Sequence, residues 1–353
     1  MRKVHVAAGK PYDVLIERGL LEECGEILKE TIGKTCKAAI LTDDTVDALY
    51  GAQAEYSLKQ AGFDVCRFAI PHGEENKNLT VWATMLDFLA QNQLTRSDVI
   101  VALGGGVVGD MAGFAAASFL RGVKFMQIPT TLLAMVDSSV GGKTGLNLTA
   151  GKNLAGAFYQ PCVVLCDPDA LWTLKPEQLA DGVAEVIKYG VLGDRPLFDL
   201  LKDGHWHDQM LSVIETCVAA KAKLVEADER DTGSRQLLNL GHTLGHAIEK
   251  CSHYGISHGH AVAIGMVYAA RLAERTGWAE CPVSDELIRA LEANHLPVSA
   301  PFDAQQLCEV ALSDKKRKGN TITFVLPHEI GRCELKDMSV EELPAAVKQA
   351  VEA

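Results

Sequence analysis

The sequence predicts an α/β domain built on a parallel sheet over residues 1–175, followed by a mainly α-helical domain over 176–353. Three observations lead there. Strand-like and helix-like patterns alternate through the first half. A run of three glycines stops one apolar strand and opens a helical pattern. Beyond about residue 175 the strand patterns nearly cease. The length agrees, since 353 residues exceed one compact core at roughly 100–200 residues per domain.

In order, the expected strands of the first domain are Lys37–Leu41, Val65–Ile70, Val99–Leu103, Lys124–Ile128 and Val163–Cys166. Each is a short apolar run ended by acidic, glycine or proline residues, as in a sheet covered on both faces. Between them the 3.6-residue pattern predicts helices over Val46–Ala61, Leu79–Asn92 and Gly109–Arg121. The second domain is expected to hold helices over Pro176–Tyr189, Met210–Asp228, Asn239–Lys250, Gly259–Thr276 and Ser284–Asn294, and one strand, Thr321–Leu326. No repeat or low-complexity segment interrupts either half.

Composition removes several classes of function. Hydrophobic residues at 48% and charged residues at 23% are ordinary for a globular chain, so disorder and fibres are excluded. A net charge of −12 argues against nucleic acid as a partner, though not against a small anion in a local basic pocket. The opening MRKVHVAAGKPYDV lacks the apolar run of a signal peptide. The apolar stretches Met111–Leu120 and Ala261–Ala270 fall short of the ~20 residues a membrane span needs. Ten cysteines without a CxxC pair read as buried, reduced thiols. A soluble, cytoplasmic protein with no membrane partner is expected.

Gly104-Gly105-Gly106-Val107-Val108-Gly109 fits G-x-G-x-x-G, between an expected strand and an expected helix. Glycines there let the backbone approach a pyrophosphate, whose charge the helix N-terminus stabilises. A tight strand-to-helix turn would use the same residues. The acidic strand end Asp43-Asp44 comes about 60 residues before the glycines, where the usual fingerprint puts its ribose-binding acid about 20 residues after. The expected domain is therefore Rossmann-like with a permuted strand order.

Five of the eleven histidines fall between His242 and His260. His242 and His246 are four apart, on one face of a helix, and His258 and His260 precede another. Facing helices that offer imidazoles make a frame for a catalytic metal, with Glu185 in the apolar stretch AEVIK as a further ligand. Imidazoles favour zinc over a hard cation. His253 reads as a capping or solvent histidine.

The segment Asp137-Ser-Ser-Val-Gly-Gly-Lys143-Thr-Gly145 looks like a phosphate-handling loop, but not a Walker A motif, which would need glycine at position 137. Lys143, Lys152, Lys188, Lys221 and Arg235 are cations in apolar or glycine-rich surroundings. Each alone reads as a solvated charge; together, beside an acid and a histidine cluster, they suggest a small polyanionic substrate. The basic run at 314–318 reads as a turn before the Thr321 strand.

With the glycine loop, GGKTG, AEVIK and GHTLGHAIE in one order, the chain resembles the 3-dehydroquinate synthase family of the sugar phosphate cyclases, from Asp43 to DKK at 314–316. The resemblance implies the dehydroquinate synthase-like fold and conversion of 3-deoxy-D-arabino-heptulosonate 7-phosphate to 3-dehydroquinate and phosphate, in the shikimate pathway. It implies bound NAD used catalytically: oxidation of a secondary alcohol, phosphate elimination, re-reduction, ring opening and aldol closure. It also implies a divalent metal, zinc or cobalt. By matching position, Glu185, His242 and His258 are the metal ligands, which displaces the pairing of His242 with His246. Lys143, Asn153, Asn239 and His246 match the phosphate-side residues, with Arg121 reaching across from the partner of a homodimer. Lys221 and Arg235 match residues near the substrate carboxylate, and Lys188 and Asp137 those at the sugar hydroxyls and reacting centre. Lys316 is carried over loosely. For NAD the matching positions are Asp43, Glu74, Lys77, Gly106, Val107, Val108, Gly109, Asp110, Thr130, Thr131, Lys143, Lys152 and Thr173.

Three positions depart from the family pattern: His72 replaces an aspartate, Thr45 an asparagine, and His260 a commonly acidic residue that here offers a spare metal ligand. Another sugar phosphate cyclase would share the cofactors and most of the cations. A metal-dependent alcohol dehydrogenase on a related two-domain fold would release NADH and would not need so many cations. A non-catalytic binding protein would have no reason to keep all these features together.

Overall fold

The structure, a computed structural model, describes residues 1–312 and 320–352. The chain forms two compact units, Met1–Leu174 with Cys217–Arg230, and Lys175–Thr216 with Asp231–Ala353. The segment Cys217–Arg230, which the sequence reading gave to the second domain, thus belongs with the first. No helix among the described residues is long and apolar enough to cross a membrane.

The first unit contains β1 (Arg2–Val6), β2 (Tyr12–Ile16), β3 (Lys37–Asp43), β4 (Asp64–Ile70), β5 (Val99–Gly104), β6 (Lys124–Pro129), β7 (Lys143–Leu148), β8 (Gly151–Phe158) and β9 (Val163–Cys166). Seven of them make one sheet in the order β1-β2-β9-β6-β5-β3-β4. Only the β1–β2 pair is antiparallel. Alternate residues of each central strand feed opposite cores. Ala38, Ile40, Val99, Val101 and Leu103 pack with the helix Leu20–Ile32 and with Ala54 and Leu58. Ala39, Leu41, Ile100 and Ala102 pack with the helices Leu79–Gln91 and Gly106–Ser118. Burial on both faces is why these strands read as unbroken apolar runs.

The expected strands and the permuted order are present. The parallel register pairs Leu41 with Ala102, so the Asp43 end of β3 lies level with Gly104 at the end of β5. The helix expected over Gly109–Arg121 starts at Gly106 and ends at Ser118, because Leu120 (φ 51°) and Arg121 (φ 64°) turn left-handed. The β1–β2 and β7–β8 hairpins are further strands. The second takes in only Lys143–Gly145 of the segment read as a phosphate-handling loop, and Gly145 and Gly156 face each other across it. A Cβ on Gly156 would meet the Thr144 carbonyl oxygen at 2.0 Å, so the glycines serve close strand approach.

The second unit is largely helical: Pro176–Gly193, Arg195–Leu201, His242–Cys251, His258–Arg275, Ser284–Ala293, Ala304–Leu312 and Leu343–Val351. Helix Met210–Ala227 is divided between the units at Cys217. The expected strand at Thr321 is β10 (Thr321–Glu329), paired antiparallel with β11 (Arg332–Ser339). The charged, half-exposed sequence of β11 carries no apolar run to reveal it.

Candidate active site

Close helix contact builds the histidine cluster in the second unit. A Cβ on Gly265 would lie 1.9 Å from the Gly241 carbonyl oxygen, and one on Gly259 would lie 2.3 Å from the Asp181 carbonyl oxygen. Glycine at these points lets helices His242–Cys251, His258–Arg275 and Pro176–Gly193 approach backbone to backbone. The approach brings His242 and His258 to a ring separation of 5.2 Å over Glu185.

Glu185 is 1% exposed, and its Oε1 lies 3.6 Å from His242 Nε2 and 3.4 Å from His258 Nε2. Both rings are held from behind. His242 Nδ1 is 3.0 Å from the Leu240 carbonyl oxygen, and His258 Nδ1 is 3.4 Å from Glu249 Oε2. Desolvation opposes charge on His258, but the Glu185 and Glu249 carboxylates outweigh it and push the ring up to about 10. The cluster thus calls for positive charge. One carboxylate and two imidazoles with ligand atoms within 4.8 Å of one another are a donor set that fits a divalent metal such as zinc or cobalt.

Buried Lys188, one turn after Glu185, touches that carboxylate. His246 lies one turn beyond His242, at a ring separation of 5.5 Å. Its Nε2 is 4.0 Å from Glu249 Oε2. His260, the spare ligand of the sequence reading, turns elsewhere: its Nδ1 lies 2.8 Å from Asp181 Oδ1, and that same oxygen accepts its backbone N–H. His253 is exposed in the turn between the two helices. Arg235, 1% exposed, and Asn239 lie on the short helix Ser234–Asn239 that leads into the cluster.

In the first unit the glycine loop has the build of a nucleotide turn. A Cβ on Gly109 would lie 2.8 Å from Gln127 Oε1, so glycine lets the helix pack onto β6. Gly106, Val107, Val108, Gly109 and Asp110 form the first turns of that helix, behind the extended Gly105. The Thr130 N–H donates to the Gly104 carbonyl at 3.1 Å, closing the neighbouring strand end over the loop. Thr131 Oγ1 accepts from the Ala134 N–H. This glycine cradle at a helix start fits a dinucleotide.

Asp43 caps the next helix through the Val46 N–H at 2.9 Å, and burial pushes its carboxyl up despite that bond. His72, at the family's aspartate position, pairs with Asp44 Oδ1 at 2.7 Å, which raises the imidazole. Lys77, 4% exposed, donates to Asp110 Oδ2 at 2.6 Å and Asn153 Oδ1 at 2.7 Å. Burial works against its charge, but Asp110 and Glu74 outweigh it and hold Lys77 above the usual lysine value. Glu74 accepts from Asn147 Nδ2, and Asn147 Oδ1 accepts from the Asn153 N–H. Thr173 Oγ1 pairs with the Tyr50 hydroxyl at 2.7 Å.

Lys221 Nζ, 5% exposed as a residue, reaches the Asp137 carbonyl at 2.6 Å and its carboxylate at 3.0 Å. Lys143 opens β7 and is exposed; Lys152 is half-buried. Arg121 is exposed in its left-handed turn. Lys316 and the rest of the basic run lie outside the described residues. The sequence reading had passed over Glu249 and Asn147. The signal for Glu249 was its place seven residues after His242 and three after His246, on the same helix face.

Comparison with known proteins decides the family. Residues 67–181 match the family described as 3-dehydroquinate synthase N-terminal, and residues 182–317 match 3-dehydroquinate synthase C-terminal. A 3-dehydroquinate synthase of Enterococcus faecalis is 41% identical over 340 residues, 95% of each chain. The chain belongs to the 3-dehydroquinate synthase family. With membership goes that family's reaction in general terms. Among solved structures, a 2-deoxy-scyllo-inosose synthase complexed with carbaglucose-6-phosphate, NAD+ and Co2+ superposes with a TM-score of 0.88. It is 25% identical and covers 99% of this chain and 100% of its own. An iron-containing alcohol dehydrogenase from Thermotoga maritima shares the fold, with a TM-score of 0.66 at 15% identity over 97% and 98% of the two chains.

Proposed function

We propose that this chain is a cytoplasmic, homodimeric enzyme using catalytic NAD and a divalent metal. It converts 3-deoxy-D-arabino-heptulosonate 7-phosphate to 3-dehydroquinate and phosphate. The observation that carries the reading is the burial of Lys188 and Arg235 to 1% and Lys221 to 5%. Desolvated cations are costly and need partners, as Glu185 beside Lys188 and Asp137 beside Lys221 provide, and a site that only oxidised a neutral alcohol would have no reason to build in so many.

In this reading Glu185, His242 and His258 hold the metal, zinc or cobalt. The dinucleotide lies along Gly106 to Asp110, with Asp43, Glu74, Lys77, Thr130, Thr131, Lys143, Lys152 and Thr173. When bound, NAD accepts and returns a hydride while the metal polarises the oxygen at the oxidised carbon. The residues of the chain do the rest. Lys221 and Arg235 take the substrate carboxylate, the guanidinium in bidentate fashion. Lys188 and Asp137 orient the sugar hydroxyls. Lys143, Asn153, Asn239 and His246 serve the phosphate by their match to the family's phosphate-side residues, joined by Arg121 of a second copy and, loosely, by Lys316. His246 Nε2 can hold or move a proton as the phosphate leaves.

The test supplies purified protein with zinc, substoichiometric NAD and the heptulosonate phosphate, following free phosphate and NADH absorbance together. Many phosphates per NAD with no net NADH is the expected result. No phosphate moves the assignment to a cyclase of another substrate, the class to which the inosose synthase belongs. Stoichiometric NADH without phosphate moves it to a dehydrogenase.

A further inference from the structure

We propose that Glu249 is a positioning residue for His258: it decides which ring nitrogen faces the metal, and so how tightly the metal is held. The proposal rests on the reading that Glu185, His242 and His258 are the ligands. A neutral imidazole carries one N–H, and a metal takes the nitrogen without it. For His242 the choice is made by the Leu240 carbonyl, 3.0 Å from Nδ1, which leaves Nε2 facing Glu185. For His258 no backbone carbonyl plays that part among the contacts described. The acceptor at its Nδ1 is Glu249 Oε2 at 3.4 Å, on a side chain 2% exposed, and Nε2 again faces Glu185 Oε1. Two rings thus point the same nitrogen at one carboxylate, each fixed by an acceptor behind it. An acceptor of this kind fixes both tautomer and ring direction.

Glu249 also belongs to a rival donor set. Its carboxylate, His246 and His258 have ligand atoms within 4.8 Å of one another. A cation there would use His258 Nδ1, whereas the Glu185 set uses Nε2. One ring cannot serve both ions without losing its last proton. By keeping the N–H on Nδ1, Glu249 closes the rival nest and opens the Glu185 nest.

The test uses full-length protein stripped with a chelator and titrated with Zn2+ or Co2+ against a chromophoric competitor. Glu249→Met keeps the bulk and removes the acceptor; Glu249→Gln keeps a neutral acceptor. Glu249→Met should weaken metal binding about 10- to 100-fold and alter the ligand-field spectrum of the cobalt form. Glu249→Gln should recover part of that loss, and remains informative if the methionine variant fails to fold. Parental affinity in Glu249→Met beside a defective His258→Ala overturns the positioning role alone. A fall from two bound ions to one in Glu249→Met also overturns it, because Glu249 would then be a ligand. Parental affinity in His258→Ala overturns the metal reading, and this proposal with it.

Discussion

Gly265→Ala tests whether backbone contact between helices sets the metal geometry. The added Cβ would lie 1.9 Å from the Gly241 carbonyl oxygen, 2.9 Å from its carbon and 3.0 Å from the Gly245 nitrogen. Ordinary contact begins at 3.4 Å, so the worst overlap is about 1.5 Å. All three obstacles are backbone, so no side chain can swing aside. Overpacking of this kind costs about 3 kcal/mol, and alanine in a helix interior returns about 1 kcal/mol. The net loss of about 2 kcal/mol lowers Tm by about 4–8 °C for a unit of this size. The effect on metal should be larger in kind. The helices carrying His242 and His258 must part by about 1 Å, whereas ligand distances tolerate about 0.2 Å. The assay is thermal unfolding of the metal-free protein followed by metal titration. Gly193→Ala is the control: no atom lies within 4 Å of its new Cβ, and its stability should change by under about 0.5 kcal/mol. A Gly265→Ala protein with parental Tm and parental metal affinity would refute the reasoning.

His258→Ala should lose both metal and turnover, while His246→Ala should keep metal and lose turnover; metal analysis showing the reverse would sink the ligand assignment. Asp98, 8% exposed, accepts the Thr95 N–H and hydroxyl and the Lys37 N–H at the starts of β5 and β3. Burial pushes its carboxyl up, but these donors outweigh it and hold the pKa below the usual value. Its stabilisation is therefore present above the unfolded pKa and lost as pH falls through the lower folded one. Asp98→Asn should cost about 1–2 kcal/mol at neutral pH in urea unfolding, with the gap closing below about pH 4; a gap unchanged down to pH 3 would refute the account. If Arg121 serves a neighbouring copy, mixing inactive Arg121→Ala with inactive Lys143→Ala should restore some activity, and no rescue in verified heterodimers would count against a shared site.

The parts of the fold that could be read beforehand are those where burial leaves no choice. β3, β5 and β6 bury both faces, so each is an apolar run whatever its neighbours are. The β7–β8 hairpin gave no such sign. Its glycines look like loop residues, and only the facing pair Gly145 and Gly156 explains them. Helix Met210–Ala227 was visible as a helix, but periodicity does not say which unit each of its turns packs against. Arg121 was expected at a helix end and instead sits in a left-handed turn, because nothing in GFAAASFLRG announces where the helix stops.

GHTLGHAIE shows the same limit within the site. Spacing of four put His242 and His246 on one helix face, and both are there. The same spacing runs through Gly241 and Gly245, which face the helix His258–Arg275: a Cβ on Gly241 would meet the Val262 carbonyl oxygen at 2.6 Å, and one on Gly245 the Ala261 carbonyl oxygen at 3.1 Å. Two rows of one period therefore do different work, one admitting a neighbouring backbone and the other presenting imidazoles. Because the glycine row lets His258 come close, the carboxylate of Glu249 meets His258 Nδ1 from across the helix pair. That contact joins residues nine apart in the chain through a turn and two helices, so spacing on one helix could not reveal it. Sharing a face does not make His242 and His246 equal ligands: Nε2 of His242 faces Glu185, and Nε2 of His246 lies on the side of Glu249.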